Sequence, residues 1–224
     1  MSARGAGRGE VVYGRRPVAE ARRGRRRVRR VWTTDDLSSS ELTRLAGSPD
    51  HQGLVAEVDP YPYADPAALL RRPDALVVAL DQIQDPRNLG AVCRSAEAVG
   101  AAGVVIPARR SAAVTAVACK ASAGAVEHLA VARVPNLADW LRAAKDAGAW
   151  VYGADPAAHA SYSAADLSGK MVIALGGEGK GLRRRVAETC DLLISIPVHG
   201  RVESLNVSAA AAVLLFETAR QRGA

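Results

Sequence analysis

Six short runs of Val, Ile, Leu and Ala, each apolar at nearly every position, recur over the last two-thirds of the chain at 76–80, 103–106, 129–134, 150–153, 171–175 and 192–196. Segments of helical period separate them. A half-exposed strand alternates apolar and polar residues, whereas one buried on both faces reads as an unbroken apolar run, so the pattern predicts a parallel sheet covered by helices. Parallel neighbours must be joined by crossovers, and an α/β layered domain over 75–224 is the economical solution. Residues 205–220 predict a last, alanine-rich helix carrying Val207, Val213, Leu214 and Phe216. It is apolar over too wide an arc for a solvent-facing helix, so another surface is expected to cover outward positions such as Leu215 and Phe216. Before residue 59 the pattern is weaker, with a helical spacing at Val18, Ala19 and Ala21 and strands at 28–32 and 53–58. Pro60, Pro62, Pro66 and Pro73 break the next stretch, which predicts a linker at 59–74 between a small domain at 1–58 and the main domain.

Charge changes the picture of the N-terminal part. The net charge is +7, but residues 1–30 hold eleven Arg against Glu10 and Glu20, a balance of +9 that leaves −2 for everything after. Arg22, Arg23, Arg25, Arg26, Arg27, Arg29 and Arg30 form a run whose natural partner is a polyphosphate backbone, since each neutralised phosphate releases counterions. A membrane surface is a poorer partner, because no bulky apolar residues interleave the arginines. A solvated tail is the plain alternative. The 49% hydrophobic content is ample for a core, and with only 4% aromatic residues the packing must rely on Ala, Val and Leu. No run approaches the roughly 18 apolar residues of a membrane span, and the first 30 residues lack the apolar stretch of a signal peptide, so a soluble, cytoplasmic protein is expected. Cys93, Cys119 and Cys190 lie far apart without CxxC spacing, and His51, His128, His159 and His199 are scattered. Neither a disulfide framework nor a metal site is predicted.

Three segments carry candidate chemistry. Gln84-Asp85-Pro86-Arg87-Asn88-Leu89-Gly90 follows the first strand of the main domain, and Asn88 is expected to cap a helix running to about Val99. On that helix Gly90, Arg94 and Glu97 share a face, so the stripe offers a guanidinium where a core would need apolar side chains. An ordinary surface salt bridge is the bland reading of Arg94. Leu175-Gly176-Gly177-Glu178-Gly179-Lys180-Gly181-Leu182 has neither Walker A nor GxGxxG spacing. Its glycines permit a tight turn at the end of a buried strand, with main-chain groups open to a ligand. Finally, Ile196-Pro197-Val198 ends a strand, and Ser204-Leu205-Asn206-Val207-Ser208 opens the last helix with groups able to cap it. The chain has no Gly-x-Ser-x-Gly elbow, which argues against a hydrolase.

In this order the three segments resemble the three motifs of the SpoU (TrmH) family of RNA ribose 2'-O-methyltransferases, a branch of the SPOUT class. The likeness is greatest to the RlmB type, which modifies a guanosine of 23S ribosomal RNA, and it is strongest from Leu76 to Arg222. The resemblance implies S-adenosyl-L-methionine as cofactor, RNA as substrate, a homodimer, and a C-terminal trefoil knot made by threading the last helix through the preceding loop. It also implies an N-terminal α+β domain of L30e-like fold that binds RNA. Tyr13-Gly14-Arg15-Arg16-Pro17-Val18 and His51-Gln52-Gly53-Leu54-Val55-Ala56 carry that likeness, with a shortened segment between them.

Residue by residue, Asn88 and Arg94 match motif 1, where the arginine lies beside the target ribose. An arginine is normally fully protonated, so stabilising an alkoxide is a safer role for Arg94 than literal proton removal. The resemblance puts Gly176 against the cofactor and Glu178 at the catalytic centre. It gives main-chain contacts from Ile196 and Leu205 to the adenine end, and turns Ser204 and Asn206 toward the ribose. Arg15, Arg16, Lys120 and Ser204 are the implied RNA contacts. The implied reaction is metal-free methyl transfer to a ribose 2'-oxygen. Two alternatives stay open: the same reaction on transfer RNA or at a ribosomal site that confers resistance, and a non-catalytic RNA-binding or ribosome-assembly protein on the same fold.

Overall fold

The structure, a computed structural model, describes residues 9–177, 179, 181–201 and 204–223. At the N-terminus β1 (Glu10–Tyr13), α1 (Arg15–Arg23), β2 (Val28–Thr33), α2 (Ser39–Ala46) and β3 (Leu54–Val58) build a three-stranded antiparallel sheet in the order β1-β3-β2. The apolar spacing predicts neither β1 nor α2. The start of α2 is nevertheless written in the sequence as a capping box, in which Ser38 Oγ accepts from the Glu41 amide and Glu41 accepts from the Ser38 amide at 2.9 Å. Residues 59–74 are packed against the main domain. Tyr61 donates its hydroxyl to the carbonyls of Val126 and Leu129, both at 3.0 Å, the Ala64 amide donates to the Val131 carbonyl at 2.8 Å, and Leu69 and Leu70 are buried.

The main domain runs β4 (Leu76–Asp81), α3 (Pro86–Ala98), β5 (Gly103–Pro107), α4 (Ala116–Ala121), β6 (Val131–Val134), α5 (Leu137–Asp146), β7 (Trp150–Ala154), β8 (Ala160–Ser161), β9 (Met171–Gly176), α6 (Arg184–Ala187), β10 (Leu192–Ser195) and α7 (Val207–Gln221). Its seven strands pair in the order β6-β5-β4-β9-β7-β10-β8, and every pairing is parallel. The unbroken apolar runs therefore mean what the pattern predicts. All of β4 is buried, with Leu76, Val78 and Leu80 in a core that reaches α3, α7 and the N-terminal unit, and Val77 and Ala79 in a second core with Leu137 and Leu141 of α5.

Four expectations need correction. Asp85, not Asn88, caps α3: its carboxylate accepts from the Arg87 amide at 2.8 Å, and Pro86 fills the first turn, where its missing N–H costs nothing. Asn88 is thus inside the helix. Leu215 is fully buried in the single chain, so of the two outward candidates on α7 only Phe216, 56% exposed, remains. That helix also begins at Val207, with Asn206 as its cap, rather than at Leu205. Lastly, the arginine run is not uniformly free. Arg26 is buried and gives Nε to Glu127 at 2.9 Å, Nη2 to the same carboxylate and Nη1 to Glu10 at 3.0 Å, while Arg25 bonds the Leu129 carbonyl. Charge counting cannot see a partner a hundred residues away. Among the described residues no helix is long and apolar enough to cross a membrane.

Candidate active site

The strand order reverses at β4, which has β5 and β6 on one side and β9 on the other. Chains leaving the carboxyl ends on the two sides of such a point diverge, and a crevice opens between them. Two adjoining cavities occupy this region. The first, about 300 Å³, has Gly176, Ile196, Ser204 and Leu205 in its walls. The second, about 400 Å³, is walled by Asp81, Gln82, Asn88 and Arg183. Gly177, Gly181 and Val207 line both.

The partition between them is the glycine turn that follows β9. The Gly181 amide donates to the Gly177 carbonyl at 3.0 Å, folding the segment back onto the strand end. A Cβ on Gly176 would stand 2.0 Å from the Gly181 carbonyl carbon, so no other residue fits there. Gly181 itself has φ +62°, a conformation that side chains disfavour. A buried carboxylate anchors the far end of the turn. Asp81, inaccessible at the end of β4, accepts from the Arg183 main-chain amide at 2.8 Å and from Arg183 Nε at 2.7 Å, with Nη2 in ion-pair contact at 2.7 Å. Beside it Gln82 adopts φ +60° without being glycine. Such strain costs on the order of 1–3 kcal/mol and gathers at working sites.

Most of the residues singled out from the sequence converge here. Gly176, Ile196, Leu205 and Ser204 share the first cavity, and Asn88 stands in the second. Asn206 joins the two motifs by donating Nδ2 to Asn88 Oδ1 at 3.2 Å, while its own Oδ1 caps α7 through the Ser208 amide at 2.8 Å. Ser204 belongs to the wall of the first cavity and not to the second. Arg94 is exposed and lines neither. Six residues beyond Asn88, it is displaced by about 9 Å along the helix and about 120° around it, and shares the solvent face with Arg87. Glu178 lies outside the described residues. Away from the cavities, Arg15 and Arg16 are exposed in the first turn of α1. Lys120 is half-buried: Nζ donates to the Asp50 carbonyl at 3.0 Å and sits 5.9 Å from the Tyr13 ring, bracing the N-terminal unit against α4.

Asp81, Gln82 and Arg183 are the residues that motif spacing missed. An Asp ending an otherwise apolar strand was the available signal for the first; nothing marks Gln82. Behind the first cavity, burial pushes the Cys190 thiol up to about 12, which removes it as a nucleophile at neutral pH. Among the described residues no group of His, Cys, Asp or Glu gathers that could hold a metal.

The model of the SpoU rRNA Methylase family matches residues 75–216. The chain belongs to this family. A protein of Mycobacterium ulcerans named as an uncharacterized tRNA/rRNA methyltransferase is 48% identical over 191 residues, 84% of this chain and 62% of that protein. The chain thus spans about three-fifths of the length of this relative. Among solved structures, the SpoU methyltransferase AviRb of Streptomyces viridochromogenes in complex with AdoMet superposes with a TM-score of 0.79 at 28% identity, covering 96% of this chain and 90% of AviRb. An AdoMet-bound rRNA methyltransferase of Sinorhizobium meliloti gives 0.83 at 25%, covering 95% and 87%. A structure described as an RNA 2'-O ribose methyltransferase gives 0.82 at 27%, covering 96% and 89%.

Proposed function

We propose that the protein transfers a methyl group from S-adenosyl-L-methionine to a ribose 2'-oxygen in RNA, on a guanosine of 23S ribosomal RNA. The observation that carries this reading is the pair of cavities sharing Gly177, Gly181 and Val207, with Asn88 in the wall of the second hydrogen-bonded to Asn206, the residue before Val207. The first cavity suits the cofactor: Leu175, Ile194, Ile196, Leu205 and Val207 give apolar walls for an adenine, Gly176, Gly177, Gly179 and Gly181 add backbone without side chains, and Asp155 offers a carboxylate. When bound there, the cofactor supplies a methyl group already activated by its sulfonium.

As the O–C bond forms and the C–S bond breaks, what the chain must do is position one hydroxyl, stabilise charge on its oxygen and let its proton pass to solvent. Asn88 in the wall of the second cavity and Asn206, paired with it, are assigned to orienting the ribose. Arg94 is assigned to the developing alkoxide, delivered from the solvent face of α3 once RNA covers it. Glu178 is assigned, from its place in motif 2, to orienting Arg94. No step needs a metal.

Finer features accompany this reading. Phe216, exposed on α7, supports an isologous homodimer. A threaded C-terminal knot, with α7 packed on α3 and β9, belongs to the same reading. Residues 1–58, carrying exposed Arg15 and Arg16, would be the L30e-like RNA-binding domain of a cytoplasmic enzyme, with Lys120 and Ser204 as further RNA contacts. Incubating the purified protein with ribosomal RNA and labelled cofactor, then digesting to nucleosides, tests the reaction: 2'-O-methylguanosine is expected, and label on a base or none at all refutes it.

A further inference from the structure

We propose that Arg183 is a substrate-binding residue, and that it holds a phosphodiester of the RNA next to the methylated ribose in the 400 Å³ cavity. The inference rests on the reading of the site as an RNA 2'-O-methyltransferase. A guanidinium has five N–H donors in a planar fork. Asp81 takes the edge formed by Nε and Nη2, both at 2.7 Å, and is itself inaccessible to solvent. The other edge, Nη1 with the second hydrogen of Nη2, is the one that grips phosphate in bidentate fashion. Among the described residues Asp81 is the only acceptor bonded to Arg183, and the Arg183 side chain is 46% exposed in the cavity wall. A buried carboxylate has therefore oriented an arginine whose phosphate-binding edge bonds no acceptor among the described residues. Holding the glycine turn in place would require only the main-chain bond of 2.8 Å.

The described wall itself carries Asp81, paired with Arg183, and Asp85, and further basic groups stand around it. Asp85 is committed to the Arg87 amide as a helix cap, and Arg87 is exposed just past it. The loop bearing exposed Arg109 and Arg110 is tied to the cavity wall by the Ala112 amide, which donates to the Ile83 carbonyl at 2.7 Å. An anion in this cavity would lie beside Asn88, and hence beside the junction where the ribose is expected.

The test compares Arg183→Gln and Arg183→Lys with the wild type in cofactor binding by calorimetry, RNA binding across a salt series, and KM and kcat for RNA. Arg183→Gln should leave cofactor affinity within about two-fold, raise KM for RNA about ten-fold or more with a smaller effect on kcat, and lower the salt slope by roughly 0.7. Arg183→Lys should keep the slope and recover only part of KM, because the charge remains and the fork is lost. Unchanged KM and slope in Arg183→Gln overturn the assignment. So does a fall in cofactor affinity that tracks a fall in melting temperature, since that marks a purely structural tie. If the single variant does not fold, Asp81→Asn/Arg183→Gln replaces the pair with two amides and is read in the same way. Wild type that neither binds nor methylates RNA would overturn the parent reading and this one with it.

Discussion

Glu127→Gln should be among the most destabilising isosteric changes in the chain. The Glu127 side chain is inaccessible and that of Arg26 is 2% exposed, so neither has water to fall back on. Burial works against the Arg26 charge, but the hydrogen bonds and charge of Glu127 outweigh it, and the guanidinium is held charged with its pKa raised. With a neutral amide in place of the carboxylate, one acceptor becomes a donor facing Arg26, and the buried cation keeps, besides the remaining amide oxygen, Glu10 at 3.0 Å, the Cys119 sulfur at 3.3 Å and the Tyr61 ring at 5.5 Å. Breaking one side of a buried pair costs about 3–5 kcal/mol. For a chain of this length each kcal/mol moves the melting temperature by roughly 2–4 °C, so a drop on the order of 10 °C is expected in calorimetry. Arg26→Met/Glu127→Leu should recover most of it, because packed apolar groups of similar volume often match such a pair. A single variant within about 1 kcal/mol of wild type, or a double variant no better than the single, would refute the claim that this pair locks the N-terminal unit to the main domain.

Arg94→Ala should lose methyl transfer while binding the cofactor as before, because Arg94 lines neither cavity; full activity in a turnover assay ends its catalytic assignment. Phe216→Glu should turn the proposed dimer into monomers by light scattering without unfolding the chain, whereas Leu215→Glu, at a fully buried position, should unfold it; wild type that is monomeric at micromolar concentration contradicts the proposed dimer. The Glu217 carboxyl is held down at about 2 by hydrogen bonds from Arg220 and then Gln221, against an ordinary 4.5. Because the folded-state value is the lower one, its contribution is complete above pH 4.5 and disappears as pH falls toward 2. Glu217→Gln should therefore flatten the acid limb of a stability profile in that window, and an identical limb in both proteins would show that the group contributes nothing.

The main domain was more legible than the N-terminal unit for a physical reason. Strands buried on both faces have no choice but to be apolar throughout, so β4, β5, β7 and β9 begin where the runs at 76, 103, 150 and 171 begin. In the N-terminal sheet the strands are partly exposed and short, and β1 reads as an unremarkable Glu-Val-Val-Tyr. The three motifs pointed to the cavities because turn and cap chemistry is local: the glycines that line the partition and the Asn206 that caps α7 are recognisable from their neighbours. Asn88 was misread as a cap because Asp85-Pro86, the stronger start signal, stands three residues earlier. Tertiary pairings were invisible. Nothing in the spacing links Asp81 to Arg183, or Arg26 to Glu127, and these pairings set Arg183 half-exposed and Arg26 buried.

On the proposed reading the two cavities carry out one reaction, methyl transfer to a ribose 2'-oxygen. The most direct measurement is nucleotide-resolution mapping of 2'-O-methylation on ribosomal RNA treated with the purified protein and cofactor, with Asn88→Ala and Asn206→Ala run beside the wild type. One guanosine of 23S RNA should gain a 2'-O-methyl group with the wild type and lose it with either variant. Methylation that persists in both variants, or a protein that binds the cofactor and methylates no ribose, would contradict the account.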